Sequence, residues 1–232
     1  MKTIAARILD SPGSAMRELL WNASGERRMP SAAAFDRAAA RLPRGALGRL
    51  CEFNPFTPVY LIPTTQFIKA LARQIRACKA KRVLEIAAGD GHLSRCLQRA
   101  APDLRVTATD SGAWEKPTAR MSPAERRALR GKAVAGLAPG PGVLRLEAIE
   151  AIRDLEPQLV ICSWLPPGPL LMKVIRAAPQ VLEIGAGSGI TGDIRAWRYE
   201  HDFLDELEAL GRCRLDERPR EKLHTRVTLY RR

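Results

Sequence analysis

The spacing of apolar positions divides this chain into two stretches with different periods. Up to about residue 80, short apolar sets at helical spacing are separated by prolines, a pattern of helices punctuated by turns. Ser31 is placed to N-cap a short helix through Ala32–Arg41, with Pro43 just past its end. Asn54-Pro55-Phe56-Thr57-Pro58-Val59-Tyr60 holds too much proline for a helix or a central strand and predicts a loop of fixed shape. After Pro63, Thr64 or Thr65 can cap a helix with Phe67, Leu71, Ile75 and Cys78 at helical spacing.

From Lys81 onward strands and helices alternate. Arg82–Ala87 is apolar enough for a buried parallel strand, His92–Ala101 is a helix, and Leu104–Thr109 is a second strand that ends at Asp110. Pro123–Gly131 reads as a helix and Ala138–Gly142 as a loop. Val143–Leu146, Leu159–Ser163 and Gln180–Ile184 are further strands, with a short helix at Leu170–Ala177. Tyr199–Leu210 reads as a helix with Phe203, Leu207 and Leu210 on one face, and Cys213–Leu215 with Arg226–Tyr230 as a terminal antiparallel pair. Alternation of this kind implies an α/β fold, a mostly parallel sheet with helices on both faces, whose ligands bind beyond the carboxyl ends of the strands. Two parts are expected: a helical N-terminal extension or lid over residues 1–80, and a ligand-binding domain over 81–232.

The composition, 46% hydrophobic and 27% charged, is that of an ordinary globular chain. No apolar run approaches the roughly 20 residues that cross a bilayer. Met1–Arg7 is soon followed by Asp10 and Pro12, with no apolar segment of a secretory signal, so a cytoplasmic location and no membrane partner are expected. Five cysteines are scattered without a CxxC pair, and only three histidines accompany them, so neither disulfides nor a metal site is expected. The net charge of +13 makes an RNA partner one reading. The positive residues lie singly or in pairs along the chain, which weakens that reading.

The chemistry concentrates at Glu85-Ile86-Ala87-Ala88-Gly89-Asp90-Gly91, a glycine-rich turn between the first strand and its helix. Glycines there let the backbone approach a ligand, and the helix that follows offers unpaired N–H groups. Asp110 ends the next strand, where an acid can accept from both hydroxyls of a ribose. A lone glycine turn is a weak signal, and turn plus strand, helix, strand and terminal acid a much stronger one.

With these residues in place, the segment from about Arg82 to the C-terminus resembles the class I (Rossmann-like) S-adenosylmethionine-dependent methyltransferases, whose first motif is acid-x-Gly-x-Gly-x-Gly. The resemblance implies a seven-stranded sheet and S-adenosyl-L-methionine as cofactor. It implies that Glu85 faces the methionine moiety, that Ala87 replaces the motif's first glycine, and that Gly89 and Gly91 match the later two. Asp110 would bind the ribose, Glu147 would read the adenine amino group, and Ser163, opening Ser163-Trp164-Leu165-Pro166-Pro167, would lie beside the transferred methyl.

The glycines admit two rival readings. A dinucleotide fingerprint needs a third glycine where Ser94 stands, and Asp90 would put negative charge near phosphates. A second run, Val181-Leu182-Glu183-Ile184-Gly185-Ala186-Gly187-Ser188-Gly189, matches the motif better than residues 83–91 do. Too few residues follow it for the remaining strands, and Asp202 and Asp205 lie in a helical pattern. A circularly permuted enzyme, similar to some DNA amino-methyltransferases, would place Ser163–Pro167 ahead of that turn. Leu165 and Gly168 depart from their motif, and residues 81–147 would go unexplained. Gly185–Gly189 is therefore expected to be a loop near the substrate mouth.

Methyl transfer from a sulfonium chiefly needs alignment of the acceptor, with a base where a proton must leave. His92, His201 and Tyr60 are the candidate bases. Trp164, stiffened by two prolines, is placed as a flat wall for substrate, with Tyr60, Phe53 and Phe56 as further lining. The expected activity is O- or N-methylation of a small molecule, with RNA methylation and a non-catalytic scaffold as alternatives.

Overall fold

The computed structural model describes residues 12–52, 57–116, 123, 136–186, 190–214 and 225–232. The expected helix Pro123–Gly131, Phe53, Asn54–Phe56, Gly187–Gly189, Leu215 and His224 lie, wholly or all but Pro123, outside the described residues.

Among the described residues four helices precede the sheet: α1 (Pro12–Leu20), α2 (Ala32–Ala39), α3 (Ala46–Glu52) and α4 (Thr65–Ala77). The caps fall where the sequence places them. Ser31 Oγ accepts from Ala34 N–H at 3.2 Å, and Thr64 Oγ1 from Phe67 N–H at 3.2 Å, each satisfying one donor of a first turn. The alternation that follows is β1 (Arg82–Ile86), α5 (His92–Ala100), β2 (Arg105–Asp110), β3 (Leu144–Arg145), α6 (Ala148–Leu155), β4 (Leu159–Ser163), α7 (Leu170–Ala177) and β5 (Gln180–Ala186). A 3-10 turn (Ile194–Arg198), β6 (His201–Phe203), α8 (Asp205–Leu210) and β7 (Thr225–Arg231) complete the chain.

The strands form one seven-stranded sheet in the order β3-β2-β1-β4-β5-β7-β6. Neighbours from β3 to β5 run parallel, and β7 is antiparallel to both β5 and β6. This is the Rossmann-like, mostly parallel sheet expected from the sequence. The order reverses direction between β1 and β4, the switch point at whose carboxyl ends open α/β sheets place their ligands. Successive strand residues face opposite sides, and two cores result. Val83, Ile161, Leu182, Ile184 and Val227 pack on one face with Phe67, Leu71, Ile75, Leu97 and Leu207 of α4, α5 and α8. Leu84, Ile86, Val160, Cys162, Val181 and Tyr230 pack on the other with Ile152, Leu171 and Ile175 of α6 and α7.

A third cluster belongs to the extension alone and joins Met16, Leu20, Trp21, Phe35, Leu47, Cys51, Val59 and Ile62. Helix α4, also within residues 1–80, lies instead in the core of the sheet. The extension is fastened to the C-terminal part of the chain by Arg212, which donates from Nε and Nη2 to Asp36 Oδ1 and Oδ2 at 2.7 and 2.9 Å. Its Nη1 donates to the carbonyls of Ala209 and Gly211, and Ile62 N–H donates to the Arg212 carbonyl at 2.8 Å.

The C-terminal region differs from the sequence expectation. Only the second half of Tyr199–Leu210 is helical, because His201–Phe203 pairs with Thr228–Tyr230 as the edge strand β6. Cross-strand pairing overrides the helical spacing there. Arg226–Tyr230 pairs with β5 and β6 and not with Cys213, which bridges to Leu61. The buried run Val227–Tyr230 suits an interior position between two strands. The third strand is reduced to the exposed pair Leu144–Arg145 at the other edge.

Arg212 is nearly buried while Asp36 is about half exposed. Removing the carboxylate strands a cation in a dry setting, so Asp36→Ala is expected to cost about 2 kcal/mol of stability. Urea unfolding checks this, and a change below about 0.5 kcal/mol would contradict the fastening role.

Candidate active site

The first glycine turn connects β1 to α5 through backbone that L side chains rarely adopt. Ala87, Gly89 and Gly91 have φ of 49°, 55° and 69°. At Gly89 the conformation and the space both call for glycine, since a Cβ would lie 2.9 Å from Leu137 Cδ2. Ala87 takes the same region at a cost of about 1 kcal/mol.

Asp110 holds this turn. Its Oδ2 accepts from Gly89 N–H at 2.9 Å and its Oδ1 from Gly112 N–H at 2.7 Å, while Ala88 N–H donates to the Thr109 carbonyl at 3.0 Å. The end of β2 is thereby latched to the turn after β1. Asp90, one residue before the N-cap Gly91, accepts at Oδ1 from His92 N–H at 3.0 Å at the start of the helix that follows. From above, Gly140 N–H donates to the Gly89 carbonyl at 3.0 Å and Leu137 N–H to the Trp114 carbonyl at 2.9 Å. The segment Gly136–Val143 thus crosses the turn.

Glu85 lies beneath the turn, 2% exposed. Its Oε2 accepts from Ser94 N–H at 3.0 Å and from Ser94 Oγ–H at 2.5 Å. Burial raises its pKa from 4.5 to about 7, against the opposing pull of the Ser94 hydrogen bonds. Glu147 is exposed where α6 begins, and Ser163 ends β4 half-buried.

Trp164 follows Ser163 with φ 55°, held by its N–H to the Ile184 carbonyl at 2.7 Å. Its indole packs beside Tyr60, ring centroids 5.9 Å apart and planes 31° apart. The Arg214 guanidinium lies 4.9 Å from the Tyr60 centroid and pairs with Glu52 at 3.3 Å. The indole N–H is buried without a hydrogen-bond partner among the described residues. The extension and the β4 loop therefore meet in a wall of two aromatic rings and a cation at the carboxyl end of the sheet.

The three candidate bases are not brought together. His92 is buried, its Nε2 3.5 Å from Cys96 Sγ, and burial followed by the charges of Arg27 and Arg95 pushes its pKa far down. His201 sits on β6, separated from β4 in the sheet by β5 and β7, with Nδ1 2.8 Å from the Tyr199 carbonyl. Tyr60 stands beside Trp164, and burial raises its pKa. At neutral pH it is a phenol, able to orient an acceptor.

The second glycine run is built differently. Gly185 belongs to β5, and a Cβ there would lie 2.0 Å from Thr191 Oγ1. That hydroxyl accepts from Ala186 N–H at 3.0 Å and donates to the Ala186 carbonyl at 3.1 Å. Gly192 N–H donates to the Leu165 carbonyl at 2.9 Å, and Gly168 N–H to the Gly192 carbonyl at 3.2 Å. These glycines clasp the loops after β4 and β5 together. The next described elements are a 3-10 turn and an edge strand, so the arrangement lacks the helix N-terminus that the first turn faces.

The donor set of the first turn fits a sulfonium nucleoside. Glu85, Asp90 and Asp110 are acceptors, matched to hydroxyl and ammonium groups and ill-matched to phosphates. Arg27, Ser94 and Arg214 carried no signal in the sequence, because each reaches its place through tertiary contact alone.

No protein-family model and no curated protein matches the sequence. Among solved structures, the chain is similar to the methyltransferase domain of bacterial CtHen1, at 11% identity and TM-score 0.42, over 72% of this chain and 98% of that one. It is similar to mitomycin 7-O-methyltransferase at 16% identity and TM-score 0.38, over 72% and 53% of the two chains. For the 23S rRNA methyltransferase ErmE the values are 19%, 0.36, 71% and 68%. Likeness at this level carries no conclusion on activity or acceptor.

Glu85 gives a pH test with a defined sign. Its folded pKa lies above the unfolded value, so its contribution to stability is complete below about pH 4.5 and is lost as pH rises through about 7. Glu85→Gln removes this loss. The variant should melt like the wild type at low pH and be more stable by about 3 kcal/mol above pH 8. Thermal melts that run parallel at all pH values would contradict the assignment.

Proposed function

We propose that this chain is an S-adenosyl-L-methionine-dependent methyltransferase acting on a small molecule. The observation that carries the reading is the latch of Asp110 on the turn of Gly89, at the switch point of a Rossmann-like sheet. Residues Ala87, Gly89 and Gly91 would offer backbone to the cofactor, and Glu85 would face its amino-acid end. Asp110 would use its remaining lone pairs for the ribose hydroxyls, and Glu147 would lie toward the adenine. Ser163 and Trp164 would flank the methyl.

When bound, the cofactor supplies an electrophilic methyl for in-line displacement. The chain then has to align the acceptor and exclude water. Trp164 and Tyr60 suit that role, since their rings present a flat wall under the extension. No strong base stands beside Trp164 among the described residues, which favours an acceptor that is already nucleophilic, such as a neutral amine. The small-molecule reading is preferred to RNA because the positive charges form no dense stripe.

Isothermal calorimetry with S-adenosylhomocysteine tests the reading. Wild-type protein should bind one equivalent, and Asp110→Ala should weaken binding about 30-fold or more, through loss of ribose contacts and of the latch. Undiminished affinity in the variant, or no binding by the wild type, would overturn it. Retention on heparin that falls steeply with salt would instead speak for RNA.

A further inference from the structure

Two surface features stand apart from the first turn: a groove at the amino ends of the strands, lined by Lys79, Arg82 and Arg153, and the exposed aromatic pair Trp197 and Phe203 at the β6 edge. Neither has chemistry that selects an occupant. The groove lies at the end of the sheet away from the switch point, and the aromatic pair is flanked by Glu200, Asp202, Asp205 and Glu206 as well as by Arg226.

Arg27 is different. It closes a tight hairpin in the extension, where Trp21 and Arg27 bridge and Asn22 Oδ1 accepts from Glu26 N–H at 2.8 Å. From there its guanidinium reaches the cofactor turn. Nη1 donates to Asp90 Oδ2 at 3.3 Å and Nη2 to the Leu61 carbonyl at 3.0 Å. The side chain is only 8% exposed, and its Nε–H is buried with no partner among the described residues. A buried cation normally has its donors filled, and charge-assisted bonds are usually near 2.8 Å. Here one carboxylate is met at the long end of the range, and donors remain unspent beside the turn.

A sulfonium nucleoside of the kind proposed above ends in an amino acid, with an ammonium and a carboxylate. The turn supplies acids for the ammonium and hydroxyls. For the carboxylate it needs a cation. Arg95 donates from Nη1 to the Asp90 carbonyl at 2.5 Å, and none of its buried donors lacks a partner among the described residues. Arg27 brings, from outside the sheet domain, a cation with a buried donor still unspent. We infer that Arg27 binds the cofactor's carboxylate through the guanidinium N–H groups that Asp90 and Leu61 leave unused. The extension then contributes to cofactor binding as well as covering the acceptor pocket.

The inference rests on the proposed function, and one experiment separates the two. Calorimetry is run with S-adenosylhomocysteine, which carries the carboxylate, and with 5′-methylthioadenosine, which lacks the amino-acid end. Arg27→Met keeps the apolar stem and removes the charge. It should weaken S-adenosylhomocysteine about 10- to 100-fold and leave 5′-methylthioadenosine within about twofold. Equal weakening of both probes would show that Arg27 only braces the turn, and unchanged binding of both would show that it faces away, so either result overturns the inference. If Arg27→Met does not fold by circular dichroism, Arg27→Lys decides. It keeps the charge but not the fork, and a loss confined to S-adenosylhomocysteine is expected. Wild-type protein that binds neither probe defeats the parent reading and the inference with it. Wild-type protein that binds both probes equally defeats the inference alone.

Discussion

Everything at the carboxyl end of the sheet depends on one hydrogen-bonded latch, the Asp110 carboxylate shared between Gly89 N–H at 2.9 Å and Gly112 N–H at 2.7 Å. The turn after β1 runs through left-handed backbone at Ala87, Gly89 and Gly91, and such a turn keeps its shape only where its surroundings over-determine it. The carboxylate does this from the neighbouring strand, while Asp90 fixes the start of α5. A single acid on β2 therefore sets both the course of the first turn and the place at which a sugar would rest. Its position follows from the parallel pairing of β1 with β2, which puts Glu85 opposite Ala108 and leaves Asp110 level with the turn.

The extension is part of this arrangement. Trp21, Phe35, Leu47 and Ile62 give it a core of its own. Arg212 and Asp36 fasten it to the segment before β7, Arg27 joins it to the turn, and Tyr60 joins it to Trp164. The last two bring residues of the extension to the turn after β1 and to the loop after β4.

Much of the sheet was legible in the chain because buried parallel strands and their crossover helices leave strong apolar periods. β1, β4, β5 and helices α4, α5 and α7 lie within a residue or two of their expected ranges. The C-terminal region was not, because Tyr199–Leu210 carries both a helical spacing and a short strand, and only pairing with Thr228–Tyr230 decides between them. At the site, Glu85, Gly89 and Asp110 announced themselves by spacing. Ser94 on Glu85, Thr191 against Gly185, and Arg27 at Asp90 did not. Their partners are distant in sequence or depend on a loop's path, and residue type alone carries no trace of that. The two glycine runs show the limit most plainly. Val181–Gly189 is the better match to the motif, yet its Gly185 makes room for a hydroxyl of its own loop.

The central claim is that a sulfonium nucleoside rests on the first of these runs and is held at its sugar by the acid ending β2. A crystal structure of the protein with S-adenosylhomocysteine tests this most directly. The nucleoside should lie against Ala87–Gly91 with its ribose hydroxyls on the Asp110 carboxylate. A nucleoside seated on Gly185–Gly189, with Asp110 away from the sugar, would contradict it.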